Sequence, residues 1–235
     1  MKQIPLAVKL RDSATFSAFQ PGPNAVAMAY LVALARRGAG AGGWLWGPAG
    51  CGKSHLLQAV CAEATDRGHL AAYLPMAQFG PMGEGALEGW SGHAVVAVDQ
   101  VEIVIGDSRL ERALFTLYNE LGENGGALLA ATDRPPASLD FALPDLRSRL
   151  AAGAVFQLAP LGEDDAVVAL QRRARHRGLD LPEDTARYLL RRLPRDMASL
   201  CDWLDRLDFA SLAAKRRLTV PFVRDVLADE EVSPG

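Results

Sequence analysis

The hydrophobic positions of the chain follow one pattern up to about residue 160 and another pattern after it. In the first part, short apolar runs alternate with longer amphipathic stretches. The apolar runs lie at 44–46, 69–74, 94–98, 127–131 and 155–158. Strands of a parallel sheet have this appearance because helices cover both of their faces. This part of the chain is therefore predicted to be an α/β domain, a parallel sheet with flanking helices.

After Pro160 the periodicity is helical throughout. The amphipathic stretches lie at 163–177, 183–192, 196–213 and 221–228. Pro182 and Pro221 stand at helix starts, where a helix does not use the amide hydrogen that proline lacks. The chain is therefore predicted to comprise an extended leader over 1–24, an α/β domain over 25–160 and a small all-helical domain over 161–235.

Composition and charge argue against several classes of protein. Of the 235 residues, 49% are hydrophobic and 23% charged, and no apolar run approaches the roughly 18 residues of a membrane span. The N-terminus lacks the apolar core of a secretory signal, so we expect a cytoplasmic protein with no membrane partner. A net charge of -3 argues against a protein that binds duplex DNA by itself. Cys51, Cys61 and Cys201 have no disulfide or zinc spacing.

A glycine-rich segment after the first apolar run matches the phosphate-binding pattern G-x-x-x-x-G-K-[ST]. The segment consists of Gly47, Pro48, Ala49, Gly50, Cys51, Gly52, Lys53 and Ser54, and His55 follows it. Glycines allow backbone amides to surround phosphate oxygens, an approach that a side chain would block. Lys53 is predicted to approach the terminal phosphates, and the hydroxyl of Ser54 to bind Mg²⁺. The segment predicts a site for ATP or ADP with Mg²⁺.

The apolar run at 94–98 ends in Asp99, which is predicted to hold the same Mg²⁺ through water. The next residue is Gln100, at a position where ATPases of this kind usually carry a carboxylate that activates water. An amide orients water but cannot take its proton, so we expect a slow intrinsic ATPase.

Thr132 and Asp133 follow the apolar run at 127–131 and are candidate sensors of the phosphate state of the nucleotide. Polar residues also end strands for reasons of turn geometry alone. The sequence leaves these two interpretations open.

These motifs, in this order, resemble the AAA+ module of the DnaA/Hda family of bacterial replication proteins. The matching segments are GKSHLLQA at 52–59, VDQ at 98–100, ATDR at 131–134, DLRSRL at 145–150 and LTVPFV at 218–223. The resemblance covers nearly the whole chain. It implies an AAA+ P-loop sheet followed by a helical lid domain, and a negative regulator of replication initiation.

The leader resembles the short motif by which regulators of this family bind the sliding clamp, the beta subunit of DNA polymerase III. Its residues are Gln3, Ile4, Pro5, Leu6, Ala7 and Val8. An extended peptide binds in this mode through polar contacts of the glutamine and aliphatic side chains in a pocket. The alternative is a disordered start with two buried aliphatic side chains.

The resemblance makes Arg149 an arginine finger that acts on ATP bound to the initiator DnaA. Phosphoryl transfer develops negative charge on the phosphate oxygens, and an arginine supplied by a neighbouring protein accelerates it by about 10³–10⁵. Arg147 lies two positions earlier, and the residues alone do not distinguish the two.

Two features depart from the family pattern. The third lid helix has Ala198 where relatives carry a sensor arginine, and Arg195, one turn earlier, either replaces it or is a solvated side chain. Initiators continue into a basic DNA-binding domain, whereas this sequence reaches Gly235 after acidic residues, so we expect no sequence-specific DNA binding. A self-sufficient AAA+ ATPase or helicase loader is the main rival function, and Gln100 and Ala198 argue against it. Homo-oligomer formation is left open.

Overall fold

The structure is a computed structural model that describes residues 14–194 and 196–232. The predicted clamp-binding residues 3–8 and Arg195 therefore lie outside the described residues. Two compact units are present: residues up to Pro48 with Gly52–Ala159, and residues from Pro160 onward with Ala49–Cys51. Within the described residues, no helix combines the length and the apolar character that crossing a membrane requires.

The first unit contains five strands and five α-helices in the described residues. In chain order these are α1 (Ala25–Arg37), β1 (Gly43–Trp46), α2 (Lys53–Asp66), β2 (Ala71–Pro75), α3 (Met76–Phe79), β3 (Val95–Asp99), α4 (Ser108–Glu123), β4 (Ala127–Thr132), α5 (Pro144–Ala152) and β5 (Ala154–Gln157).

The five strands form one parallel sheet in the order β2-β3-β4-β1-β5. Every residue of β3 and β4 is buried, which is why these segments are apolar without alternation. The predicted α/β fold with a parallel sheet is confirmed. Because β3, β4 and β1 are neighbours, their carboxyl ends meet at one edge, and the register sets Trp46 opposite Thr132.

Residues 14–24 pack onto the first unit instead of extending from it. Ala18 and Phe19 are buried, and Asn24 is only 3% exposed. The side-chain amide of Asn24 donates to the carbonyl oxygen of Ala159 at 2.9 Å, and its Oδ1 accepts from the amide of Ala159 at 2.9 Å. These contacts fix a segment that the sequence analysis assigned to the extended leader.

From Pro160 onward, the described residues of the second unit form helices joined by short connections, as predicted for the lid. Its helices are α6 (Glu163–His176), α7 (Glu183–Arg192), α8 (Met197–Ala214) and α9 (Val220–Val232). Leu170, Leu189, Leu204 and Phe222 are among the buried side chains that form a core of its own.

Candidate nucleotide-binding site

The glycine-rich segment forms the connection from β1 to α2, as its motif predicts. Gly47, Gly50 and Gly52 have φ of 155°, 76° and 100°, values that favour glycine. A Cβ on Gly52 would also lie 2.7 Å from the ring of Phe19, so only glycine fits there. The start of the segment is tied to the sheet because the amide of Gly47 donates to the carbonyl oxygen of Thr132 at 3.3 Å.

Lys53 is the first residue of α2 and contacts the segment that precedes it. Its Nζ donates to the carbonyl oxygens of Gly47 at 2.6 Å and Pro48 at 3.0 Å. The ammonium therefore lies over the amino-terminal part of the phosphate-binding segment. An ammonium at the start of a helix adds to the positive end of the helix dipole, and both attract phosphate.

Asp99 lies at the end of β3 and is 2% exposed. Its Oδ2 accepts a hydrogen bond from the hydroxyl of Tyr73 at 2.7 Å, and its Oδ1 accepts from the amide of Gln100 at 3.0 Å. Side-chain hydrogen bonding with Gln58 and Ser54 lowers the pKa of Tyr73, which places both side chains close to its hydroxyl. Tyr73 thus bonds Asp99 and lies close to Ser54, the two residues predicted to hold Mg²⁺.

Burial is the main cause that raises the pKa of Tyr73 well above its usual range. The negative charge of Asp99 and the hydrogen bond to Asp99 raise this pKa further. The phenol is therefore a neutral donor at physiological pH. Sequence reasoning missed Tyr73 because one tyrosine inside the apolar run at 69–74 has the pattern of a core residue.

Gln100 has a left-handed backbone conformation, with φ of 60° and ψ of 46°. Its Oε1 accepts a hydrogen bond from the amide of Ala77 at 3.2 Å, close to the start of α3. The side-chain oxygen of Gln100 thus stabilises the first turn of α3.

Glu102 was not selected from the sequence, and it lies three residues after Asp99. It belongs to the short 3-10 turn Val101–Ile103 that follows Gln100. Its Oε2 is buried without a hydrogen-bond partner among the described residues. Burial raises the pKa of its carboxyl, and a hydrogen bond from its own backbone amide lowers it. The charges of Asp133 and Asp99 raise this pKa to a smaller extent, and the charge of Lys53 lowers it.

The two candidate sensors have different surroundings. Thr132 is completely buried; its Oγ1 accepts from Nε1 of Trp44 at 3.0 Å and donates to the carbonyl oxygen of Arg134 at 2.5 Å. The hydroxyl hydrogen is thereby used in the turn after β4, which favours the turn interpretation for Thr132. The side chain of Asp133 is 55% exposed and pairs with Arg134 at 3.3 Å.

His55, the residue after the phosphate-binding segment, contacts the chain before α1. A ring nitrogen of His55 lies 2.8 Å from the carbonyl oxygen of Thr15, and its ring centroid is 5.5 Å from that of Phe19. The sequence analysis did not select Phe19, since its position in a segment without periodicity gave no signal.

Arg149 lies on α5 and is exposed. Within the part of the chain that the structure describes, it makes no hydrogen bond or ion pair, whereas Nη2 of Arg147 donates to the carbonyl oxygen of Ala137 at 3.2 Å. Arg149 lines a surface cleft of about 430 Å³ together with Ala41 and Gly126, which precede β1 and β4. It therefore lies at the amino edge of the sheet, opposite the edge where the phosphate-binding segment begins.

The residues present fit an Mg²⁺-nucleotide. Among the described residues, no group of three or more His, Cys, Asp or Glu side chains forms a self-contained metal site. Mg²⁺ in nucleotide sites takes one or two protein ligands and completes its shell with phosphates and water. The hydroxyl of Ser54 and the carboxylate of Asp99, which share Tyr73, match that requirement.

Comparison with known proteins identifies similar sequences and folds. Residues 163–227 match the family model described as the lid domain of Hda. Domain III of the Thermotoga maritima replication initiation protein DnaA is 22% identical, with a TM-score of 0.81 over 94% of this chain and 98% of that chain.

Two longer structures show the same fold. AMPPCP-bound DnaA from Aquifex aeolicus is 21% identical, with a TM-score of 0.72 over 85% of this chain and 66% of that chain. The Holliday junction branch migration motor RuvB of Thermotoga maritima is 17% identical, with a TM-score of 0.67 over 87% of this chain and 67% of that chain. The fold is therefore that of an AAA+ module.

Proposed function

We propose that this chain is a member of the DnaA/Hda family of AAA+ proteins and a negative regulator of replication initiation. In this proposal it stimulates hydrolysis of the ATP bound to the initiator DnaA. Arg149 supplies the arginine finger, and the protein's own nucleotide site keeps it competent to do so. It acts in the cytoplasm at the replisome.

The main support for the proposal is the position and exposure of Arg149. A finger must be exposed and must have its guanidinium uncommitted, because it inserts into the site of another protein. Arg149 is exposed and has no hydrogen-bond or ion-pair partner among the described residues, whereas Arg147 donates a hydrogen bond to the carbonyl oxygen of Ala137. Strand β1 is four residues long, so about 13 Å of sheet separates its amino edge from its carboxyl edge. This separation favours action on a partner's nucleotide over action on the protein's own.

The protein's own site is proposed to bind ADP or ATP with Mg²⁺ at residues 47–55. The bound nucleotide would supply phosphate charge that Lys53 and the start of α2 neutralise. Ser54 and Asp99 would orient Mg²⁺, and Tyr73 would hold both in place through its hydroxyl. The position of Gln100 against α3 agrees with a slow intrinsic ATPase.

Docking on the DNA-loaded sliding clamp is proposed for Gln3–Val8, outside the described residues. A leader on the clamp would raise the local concentration of the regulator near newly replicated DNA, where the initiator must be inactivated. This role needs no sequence-specific DNA binding by the chain itself. Assembly as a homo-oligomer is not required either, since the finger acts on DnaA.

One experiment tests the whole proposal. DnaA loaded with labelled ATP is mixed with this protein, in the presence of clamp loaded on DNA, and conversion to ADP is followed. We expect rapid conversion only when protein, clamp and DNA are all present. Equal conversion without this protein would refute the proposal. Rapid turnover of ATP by this protein alone, without DnaA, would support the rival of a self-sufficient AAA+ ATPase or helicase loader.

A further inference from the structure

Helix α4 carries a buried carboxylate outside the nucleotide-binding site. Glu111 lies in the first turn of α4 and is 0% exposed. Acidic side chains are almost never fully buried unless they are paired. Burial removes the hydration of a carboxylate, so hydrogen-bond donors must replace the lost water. The donors that surround Glu111 therefore indicate what it holds in place.

Three backbone amides donate to Glu111. Its Oε1 accepts from the amide of Gly106 at 2.7 Å and from the amide of Ala142 at 3.0 Å. Its Oε2 accepts from the amide of Leu143 at 2.6 Å. Hydrogen bonds to an ionised acceptor are short and roughly twice as strong as neutral ones. Glu111 thus joins the start of α4 to a residue just before it and to two residues 31 and 32 positions later in the chain.

Gly106 belongs to the segment between strand β3 and helix α4. The amide of Val104 donates to the carbonyl oxygen of Val101 at 2.8 Å, and the amide of Asp107 donates to that of Val104 at 3.2 Å. Val101 and Val104 are completely buried, which anchors this segment in the core. Gly106 therefore attaches Glu111 to a fixed part of the first unit.

Ala142 and Leu143 lead into α5, the helix that carries Arg149. Leu143 is the N-terminal cap of α5, and its side chain supplies no capping hydrogen bond. Pro144, the first residue of α5, has no amide hydrogen. The start of α5 is therefore fixed from another helix, through the two hydrogen bonds that Glu111 accepts.

Apolar packing alone does not fix the position of α5 along its axis. Leu146 and Leu150 are buried and determine which face of α5 turns toward the core. Hydrophobic attraction is non-directional, whereas a hydrogen bond requires a narrow range of distance and angle. Arg149 lies five positions after Pro144, about 7.5 Å along the helix axis. A shift at the start of α5 therefore moves the guanidinium of Arg149 as well.

We propose that Glu111 is a positioning residue for Arg149, because it holds the start of α5 at a fixed place relative to the segment after β3. A finger must meet the phosphoryl group of DnaA-bound ATP in one orientation, and a displacement of about 1 Å costs about 100-fold in rate. Glu111 is completely buried, so it acts through α5 and not by contact with DnaA. The inference rests on the proposed function of Arg149 as an arginine finger.

Glu111→Gln breaks this arrangement while nearly preserving the volume of the side chain. A carboxylate has two acceptor oxygens, whereas an amide has one oxygen and an NH₂ group that only donates. Either the amide of Leu143 or the amides of Gly106 and Ala142 then face a donor instead of an acceptor. Glu120→Gln is the matched control, since it is the same substitution at an exposed position of the same helix.

Amide hydrogen exchange measures how firmly α5 is held, without any assay of activity. We expect exchange of the α5 amides to become about tenfold faster in Glu111→Gln and to change less than about twofold in Glu120→Gln. The amides of α1 serve as the internal reference for global stability. Unchanged exchange of α5 in Glu111→Gln would overturn the inference. If Glu111→Gln did not fold, Glu111→Asp, which keeps the charge and is one methylene shorter, would be measured with the same expectation.

Hydrolysis of DnaA-bound ATP then separates positioning of the finger from loss of binding. Conversion to ADP is measured over a range of concentrations of this protein, with clamp loaded on DNA. We expect Glu111→Gln to lower the maximal rate about 100-fold and to leave the half-maximal concentration within about twofold. A raised half-maximal concentration at an unchanged maximal rate, or an unchanged rate despite faster exchange of α5, would overturn the role of Glu111 toward Arg149.

The two measurements distinguish a failure of the inference from a failure of the proposed function. If the parent protein did not stimulate conversion, or if Arg149→Ala stimulated it as well as the parent, the proposed function would fail and the role of Glu111 would fail with it. If the parent and Arg149→Ala behaved as expected, and Glu111→Gln matched Glu120→Gln in both measurements, only the inference on Glu111 would fail.

Discussion

The hydroxyl of Tyr73 donates to Oδ2 of the buried Asp99 at 2.7 Å, which joins strand β2 to the acidic end of strand β3. Register places Asp99 beside Pro75, so the tyrosine reaches it from two residues back along the neighbouring strand. A buried carboxylate needs such donors, because an unsatisfied one loses its hydration without compensation. Ser54 lies close to the same hydroxyl, so Tyr73 adjoins both predicted Mg²⁺ ligands.

Tyr73→Phe should lower the free energy of unfolding of the nucleotide-free protein by about 1–3 kcal/mol, since it removes a donor from a buried charged acceptor. The apparent melting temperature should fall by about 2–4 °C per kcal/mol in a chain of this length. Tyr188→Phe is the control, because the hydroxyl of Tyr188 has no hydrogen bond among the described residues and its ring contacts Arg192. Equal decreases in melting temperature in both variants would show that the hydrogen bond from Tyr73 to Asp99 does not stabilise the fold.

Lys53→Ala should abolish binding of ADP and ATP, because the ammonium is the positive side-chain charge that the site places at the phosphates. In the parent, ADP at about 100 times its dissociation constant should stabilise the fold by about 2.7 kcal/mol, measured by thermal melts. Arg67→Ala, at the far end of α2 in an exposed pair with Glu63, should keep that stabilisation. Full stabilisation of Lys53→Ala by ADP would place the nucleotide elsewhere.

Arg149→Ala should leave folding and ADP binding within about 0.5 kcal/mol of the parent, as expected for an exposed side chain that has no partner among the described residues. Stimulation of DnaA-bound ATP hydrolysis should fall by about 10³–10⁵. Arg147→Ala is the matched control, since it removes an arginine from the same helix and costs a single exposed hydrogen bond. A similar loss in both variants would indicate a general effect of charge on α5.

Replacing Gln3 and Leu6 together by Ala should remove binding to immobilised clamp, because the polar and the aliphatic anchor of the leader are both lost. ADP affinity should not change, since neither residue belongs to the phosphate-binding segment. Replacement of Lys2 and Lys9, which flank the motif, tests whether charge alone explains binding. Unaltered clamp binding by the Gln3 and Leu6 variant would refute the docking proposal.

Glu102→Gln should stabilise the nucleotide-free protein at pH 7. Burial raises the pKa of this carboxyl above 4.5, so any stability that it contributes is present below that pH and is lost as the pH rises through its folded pKa. At pH 7 the ionised group therefore opposes folding, and the neutral amide does not. The gain in melting temperature should shrink as the pH is lowered toward 4.5. A gain independent of pH would point to packing and not to charge.

Much of the fold follows directly from the order of residues. The apolar runs that became β3 and β4 are short and apolar without alternation, which favours buried parallel strands over helix segments. The phosphate-binding segment is likewise local, since its glycines, Lys53 and the following helix are contiguous in the chain.

Contacts between distant segments could not be predicted in this way. Three hydrogen bonds join residues that are far apart in the sequence: Tyr73 to Asp99, Trp44 to Thr132 and Asn24 to Ala159. The residue types alone do not indicate these pairings. The sequence by itself determined which segments become strands, helices and the phosphate-binding turn, because these depend on local periodicity and backbone freedom. Only the tertiary structure decided that Gln100 supports α3 while an oxygen of Glu102 is buried, because the direction of a side chain after a strand depends on the turn that packs around it.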